Sequence, residues 1–518
     1  MTRVAMPGVP ERSPSNEVDV TMRRIARGSM ANLAGTSVTV LTNFALTITV
    51  TRGLSQARAG VFFSITSLFM IAAVAGQLGT NTGLVYFISR CRALGTPQLI
   101  SGYLRAAVRP VMLIATSAGV ALFVLAPEVA ALTNSAHVGE ATGYLRVLAL
   151  FIPLAVLENV ALAATRGLGT MRVTALLELT GRPVLQLMLV TAIMVIPGRG
   201  FLGLAWAFAY APAAVVAWFW WRRLRPSRGL AAHSAEPRGE GFWRFTAPRA
   251  MTSVVQIAMQ RLDIILVGAL AGAVQAAVYT AATRFVVAGQ MGANAISLAA
   301  QPKLSETLAR GEHKAVQEIY QTSTAWLMLV TWPLYLMFTL FGAQLMQVFG
   351  KDYGVGSDVL ALVSLAMLVS TGSGMVDMVL SMAGHTSWSL ANAVLALAIQ
   401  VGLDIWLIPA HGARGAAMGW AAAIVVRNAA ALTQVAITLR LHPFGRMTLA
   451  CAAINLAAFG AVPRAAGFVL HSSGSALVVG VVVGAIVYAV AVWYLRGPLQ
   501  LRALSALRAG SAGRRDDR

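Results

Sequence analysis

Nine ionisable side chains sit inside long apolar stretches of this 518-residue chain: Glu158, Glu178, Arg182, Arg261, Asp263, Arg284, Asp377, Asp404 and Arg427. In a membrane span each such charge costs at least ~2.5 kcal/mol, so each needs a partner or a task. Arginine offers a planar, permanently charged fork that matches the oxygens of phosphate, and a carboxylate can neutralise it or hold a cation. Local pairing accounts for some of the set. Glu178 and Arg182 are four residues apart on one helix face, and Arg427 has Asp404 or Asp377 as a partner on a neighbouring helix. Four arginines face five acids, so a basic cavity requires some acids to be protonated or paired away from it.

Uncharged polar residues form a second pattern. Asn32, Thr36, Thr39, Asn43 and Thr47 recur at intervals of three and four, which places them on one helix face. Ser253 (or Thr252), Gln256, Gln260 and Asp263 do the same further along, and an offset of 217 superimposes Thr36, Thr39 and Asn43 on Ser253, Gln256 and Gln260. Hydroxyls alone would read as contacts between membrane helices. The amides and Asp263 are costlier in lipid, which favours a hydrated cavity.

These residues must be positioned by membrane helices. The chain is 57% hydrophobic and only 11% charged, against about a quarter charged in a soluble protein. Fourteen apolar segments are expected, at 29–51, 59–79, 107–127, 144–165, 173–196, 201–221, 247–270, 275–300, 319–342, 356–383, 388–409, 414–438, 447–467 and 475–495. With the N-terminus inside, 28 of the 40 Lys and Arg fall in cytoplasmic segments and six in external loops. This positive-inside asymmetry puts both termini in the cytoplasm. It also explains the net charge of +21 as orientation and contact with anionic lipid headgroups, without nucleic acid. The abundance of Arg over Lys, and of Ala, points to a GC-rich bacterial genome, hence to the plasma (inner) membrane. The first apolar segment is expected to serve as an uncleaved insertion signal.

A short pattern marks a duplication. Ile196-Pro197-x-x-Gly200-x-x-Gly203 recurs as Ile408-Pro409-x-x-Gly412-x-x-Gly415, each copy between two apolar segments. The expected architecture is an all-α polytopic membrane protein of about 14 transmembrane helices, in two pseudo-symmetric six-helix lobes plus two extra C-terminal helices. The lobes are 29–221 and 247–439, with a cytoplasmic linker at 222–246 and the extra pair at 440–495. The basic tails 1–28 and 496–518 are expected to be disordered. Both copies of the pattern then fall on the external side, as turns shaped by Pro and Gly.

Further motifs carry a resemblance. Gln260-Arg261-Leu262-Asp263-Ile264-Ile265-Leu266-Val267-Gly268 and Ala277-Val278-Tyr279-Thr280-Ala281-Ala282-Thr283-Arg284 are followed by Gln301-Pro302-Lys303-Leu304-Ser305, Arg310-Gly311-Glu312, Trp332-Pro333 and Phe349-Gly350-Lys351-Asp352-Tyr353-Gly354. With Leu407-Ile408-Pro409, Gly412 and Gly415, they resemble the oligosaccharide and lipopolysaccharide (O-antigen type) flippases of the multidrug/oligosaccharidyl-lipid/polysaccharide exporter superfamily. The resemblance covers about 30–495 and is best in 245–425. It implies a V-shaped pair of lobes that rocks between inward- and outward-open states, carrying an undecaprenyl-pyrophosphate-linked oligosaccharide to the outer leaflet. Fourteen helices fit the flippase branch, whereas the drug antiporters typically stop at twelve.

In that frame Arg261 and Arg284 are the leading candidates to hold the pyrophosphate, with Arg182 and Arg427 behind them. Asn43, Thr39, Gln256, Gln260 and Asp263 complete the cavity, and Arg52 and Arg58 stand at its external rim. Asp263, Asp377 and Glu158 are candidates to couple Na⁺ or a proton to lobe closure. Expected partners are the lipid-linked oligosaccharide, anionic lipids, and a glycan polymerase or glycosyltransferases. A cation-coupled drug or metabolite antiporter and a lipid II flippase are the alternatives. An enzyme is disfavoured because the external loops are short and hold no paired carboxylates, nucleophile or metal-ligand set. No cofactor is expected, and Cys91 and Cys451 make neither a disulfide framework nor a metal site.

Overall fold

A computed structural model describes residues 14–195, 201–224, 239–470 and 473–495, and these form helices and turns with no strand among them. In lipid a backbone amide has no water to bond, so a span must satisfy its own N–H and C=O groups, as a helix does. The first half comprises α1 (Pro14–Gly53), α2 (Gln56–Gly76), α3 (Thr80–Ala93), α4 (Ile100–Val124), α5 (Val138–Gly167), α6 (Arg182–Val195) and α7 (Tyr210–Leu224). The second half comprises α8 (Gly239–Ala271), α9 (Ala273–Ala309), α10 (His313–Leu340), α11 (Ser357–Gly372), α12 (Val376–Met382) and α13 (Thr386–Thr438), followed by α14 (Arg446–Asn455), α15 (Val462–Leu470) and α16 (Ser473–Tyr494).

Among the described residues 11 helical segments are long and apolar enough to span a membrane, not fourteen. The two counts part at three places: α13 is a single 53-residue element, and neither α9 nor α16 is among the eleven. Within α13 the backbone leaves helical geometry at Gly412 (φ 57°, ψ −136°), so the second copy of the duplicated pattern is a sharp turn. Only glycine takes this left-handed conformation without strain. The Gln275 side chain at the start of α9 fastens the turn by accepting from the Ala413 N–H at 3.1 Å. The first copy lies largely outside the described residues, at 196–200.

Other boundaries also move. α1 starts at Pro14, well before residue 29, because no glycine or second proline interrupts 15–27 and nothing there breaks the helix. α7 and α8 continue into the expected linker, leaving 225–238 outside the described residues along with 1–13 and the tail 496–518. The segment expected as one helix over 356–383 is broken at 373–375, where Gly374 has φ 70° and Tyr320 donates to the Ser373 carbonyl at 2.9 Å.

The two halves meet where α2 packs along α8 and α9. Small residues permit this. A Cβ on Gly60 would overlap the Ala273 carbonyl, and one on Gly268 would come within 2.6 Å of Ser64 Oγ. Such close approach replaces the hydrophobic drive that helices lack in lipid. Tyr86 stacks on Phe245 at 4.3 Å near one end of this seam. At the other end Phe44 meets Phe285 at 5.2 Å and Phe349 at 5.4 Å.

Gly60→Val should separate α2 from α9 and cost about 1–3 kcal/mol by overpacking. The expected result is a lower Tm for the detergent-solubilised protein, with Gly402→Ala, which meets nothing within 4 Å, unchanged. Equal Tm values for both variants would contradict the packing argument.

Candidate functional site

The nine membrane charges sort into pairs and remainders. Glu158 on α5 is fully buried and its Oε2 lies 3.1 Å from Arg182 Nη1 on α6. The Arg182 guanidinium also sits 4.8 Å over the Tyr210 ring. Tyr210, at the start of α7, is held in turn by Phe69 at 5.3 Å and Trp206 at 5.7 Å. Glu178 does not pair with Arg182 as its spacing predicts. Leu177–Gly181 is a π-helical turn. Its wider turn takes position 178 out of the i,i+4 register with 182. Glu178 Oε2 instead meets Arg166 Nη1 at 3.2 Å, and the same arginine bonds Asn81 at the start of α3. Arg427 takes Asp377, at 2.6 Å, and leaves Asp404.

Arg261 and Arg284 are left over. Among the described residues neither forms an ion pair or a hydrogen bond, and the Nε of each is buried without a partner. Arg284 on α9 lies within electrostatic reach of Arg261 on α8, and Arg261 within reach of the Tyr210 phenol. That phenol also senses Arg182 and Glu158. Arg182 and Arg261 therefore both lie near Tyr210 and Arg284 lies near Arg261, and among the described residues Arg261 and Arg284 have no counter-ion. Two neighbouring, unneutralised guanidinium groups repel each other, and an oxyanion between them relieves that repulsion.

A second remainder has the opposite sign. Asp263 on α8 and Asp404 on α13 are buried at 3% and 0% exposure, and their carboxyl groups are in contact. Tyr279 Oη donates to Asp263 Oδ2 at 2.5 Å, and Gln400 Nε2 donates to Oδ1. Neither oxygen of Asp404 has a hydrogen-bond donor among the described residues. A Cβ on Gly419 would crowd Asp404, so the bare glycine leaves the carboxyl its room. Two touching carboxylates cannot both stay charged in such a site. A proton shared between them, or a bound cation, must balance them.

The expected coupling set is thus not brought together, since Glu158 and Asp377 are each occupied by an arginine while Asp263 meets Asp404. Sequence reasoning had placed Asp404 only as a possible partner of Arg427, and it missed Tyr210, Tyr279 and Gln400. The i,i+4 spacing of Gln400 and Asp404 on one helix face was the available signal.

The polar stripe of α1 divides. Thr39 donates to the Leu179 carbonyl at 2.6 Å, tying α1 to the π turn, and Asn43 donates to the Thr39 carbonyl at 2.8 Å. Thr39 thus serves helix packing, while the Asn43 bond stays within α1. Asn32 and Thr36 instead line a cavity with α9. Gln256 and Gln260 are exposed on α8. Arg52, expected at an open rim, donates to the Val348 carbonyl at 2.8 Å and so bridges α1 to the segment after α10. Arg58 lies 3.7 Å from Glu140. No group of three or more His, Cys, Asp or Glu among the described residues is arranged to hold a metal.

The profile of a family described as polysaccharide biosynthesis protein matches residues 49–354. No curated protein is matched by the sequence. Among solved structures, the lipid II flippase MurJ in an inward closed conformation superimposes with a TM-score of 0.72 at 14% identity, over 91% of this chain and 99% of that one. An inward-facing multidrug resistance MATE family transporter of the MOP superfamily gives 0.62 at 18% identity, over 80% and 98%. A MOP superfamily transporter from Pyrococcus furiosus gives 0.53 at 20% identity, over 80% and 95%. At these identities the likeness is one of fold.

Glu158→Gln should strand Arg182 as a buried charge and cost about 3–5 kcal/mol, read as a large fall in Tm. The double variant Glu158→Gln with Arg182→Met should recover most of it. A double variant no more stable than the single one would contradict the pairing.

Proposed function

The chain belongs to the polysaccharide biosynthesis protein family, and from that premise we propose that it flips an undecaprenyl-pyrophosphate-linked oligosaccharide from the cytoplasmic to the outer leaflet for cell-surface polysaccharide synthesis. The observation that carries this reading is the pair Arg261 and Arg284, half-buried at the seam and without a counter-ion among the described residues. A pyrophosphate supplies the missing anion, and each guanidinium can grip it with two parallel hydrogen bonds. Arg182, half engaged by Glu158, adds a third cation from the opposite half. Asp377 occupies Arg427, which therefore stands outside the clamp.

In this reading the two six-helix lobes rock about the seam along α2, in alternating access, with both termini in the cytoplasm of a bacterial cell. The positive-inside charge distribution supports that orientation. The lipid-linked cargo is favoured over a drug by the extent of the fold likeness. MurJ accounts for 91% of the chain and the MATE transporter for 80%, a difference about as long as 440–495. That stretch holds the two helices expected beyond the drug-antiporter plan.

The carboxyl pair Asp263–Asp404 supports cation coupling. Arg261 and Asp263 are two residues apart on α8, so their side chains leave opposite sides of one helix. The clamp and the carboxyl pair thus share a rigid element, and binding a proton or Na⁺ on one side biases the position of the other. Coupling of this kind requires two states of that element, which the rocking lobes provide.

Reconstituted protein should translocate a fluorescent pyrophosphoryl-linked oligosaccharide across proteoliposome leaflets. Arg261→Ala and Arg284→Ala should each slow translocation about a hundredfold while insertion is unchanged, and Arg→Lys at either site should be intermediate. Full activity in both alanine variants would reject the clamp, and saturable efflux of a cationic dye without lipid flipping would assign the chain to the antiporters. Asp404→Asn should abolish any response of the rate to imposed proton or Na⁺ gradients. A variant as gradient-dependent as the wild type would remove the carboxyl pair from coupling.

A further inference from the structure

Beyond Arg284, α9 carries Met291, Asn294, Ser297 and Gln301 along one face. At ~1.5 Å per residue Asn294 lies about 15 Å from Arg284 along the helix axis. These four residues form one wall of a cavity of about 250 Å³, and Asn32, Thr36 and Ser37 of α1 form the other. The cavity therefore sits between the two halves, further along the helix that carries Arg284.

Its chemistry is uniform. None of the seven lining residues is charged, and six of them carry a hydroxyl or amide. The Thr36 hydroxyl donates to the Asn32 carbonyl at 2.9 Å, which leaves the Thr36 oxygen free to accept from outside. Ser297 Oγ donates to Met375 Sδ at 3.0 Å, and among the described residues Gln301 Nε2 reaches only the Met382 sulfur, at 3.8 Å. The side-chain amides of Asn32 and Asn294 make no hydrogen bond among the described residues. Amides left unsatisfied in a membrane helix are costly, and here they converge on one space from two helices.

An amide offers both donors and an acceptor, the complement of adjacent sugar hydroxyls that are both as well. Met291 supplies an apolar, deformable patch for the C–H face of a ring. A cavity of this size has space for a sugar ring. An acidic sugar would bring a carboxylate into a wall without a cation, where desolvation is not repaid.

We infer that this cavity is a glycan subsite, which holds an uncharged sugar ring of the cargo while Arg261 and Arg284 hold its pyrophosphate. This rests on the flippase reading above and adds a selectivity that the arginines alone lack. A ring joined directly to the pyrophosphate stays near the clamp, so the subsite reads a ring further along the glycan.

The test compares three fluorescent cargoes in proteoliposomes: undecaprenyl pyrophosphate bearing one neutral sugar, a neutral trisaccharide, or a trisaccharide ending in a uronic acid. The wild type should move the neutral trisaccharide faster than the acidic one. Asn294→Ala and Gln301→Ala should each slow the neutral trisaccharide roughly tenfold, the scale of one well-placed hydrogen-bonding group, and leave the monosaccharide cargo unchanged, which also shows that the variants are folded. Equal loss on both neutral cargoes, no loss on either, or no preference between the trisaccharides would overturn the subsite. A wild type that moves none of the three overturns the flippase reading, and the subsite with it.

Discussion

A charge inside the membrane must be neutralised where it stands, and the arrangement of this protein follows from that constraint. Burying an unpaired ion is paid for only by a partner or by a task. Glu158 with Arg182, and Asp377 with Arg427, discharge the constraint within one half each. Glu178 does so through Arg166 at the end of α5. What remains is sorted by sign: two arginines at the seam, and two carboxyl groups between α8 and α13. Had Arg261 been placed to meet Asp263 or Asp404, all four would have cancelled and no site would be left. Their separation to opposite sides of α8 leaves neither side neutralised by the other.

The seam that brings Arg261 near Tyr210 depends on residues with no chemistry of their own. Gly60 and Gly268 allow α2 to approach α8 and α9 to backbone contact, and aromatic pairs stand near its two ends, Tyr86–Phe245 and Phe44–Phe285. A contact made of small side chains has shallow ridges, so helices can shift along it with little repacking. Among the described residues, few polar bonds cross the seam. Ser64 reaches the Ile264 carbonyl at 3.4 Å, and Arg52 the Val348 carbonyl at 2.8 Å. A smooth contact of this kind suits the rocking motion proposed above.

Much of this was legible in the sequence, and the losses have physical causes. Apolar length announced the membrane spans, and the repeated Ile-Pro-x-x-Gly-x-x-Gly announced the turn at Gly412, because proline and glycine act on the backbone locally. Arg261 and Arg284 stood out because a charge in an apolar run is conspicuous without any knowledge of its neighbours. Partners were harder to read. The Glu178–Arg182 pair failed because a π turn changes the register, and no residue type marks a π turn. Asp263 and Asp404 are 141 residues apart, so only the fold brings them into contact. The α1 stripe was visible as a stripe, yet periodicity could not show that Thr39 is tied to its own half while Asn32 and Thr36 line a cavity with α9.

The same asymmetry gives one helix a large part in the proposed function. Along α8 the seam side holds Arg261 and the inner side holds Asp263, so a small rotation of the helix moves both in opposite senses relative to their surroundings. With the carboxyl pair neutralised by a cation, α8 packs against α13 without electrostatic cost. With the pair deprotonated and empty, repulsion between Asp263 and Asp404 pushes α8 away from α13 and toward the seam, carrying Arg261 with it. An anion on the clamp opposes that displacement by fixing Arg261 to Arg284 on α9. In the proposed mechanism cation and anion thus act on one helix from its two faces, and the sign of their coupling is set by which face each occupies, with no relay through intervening residues.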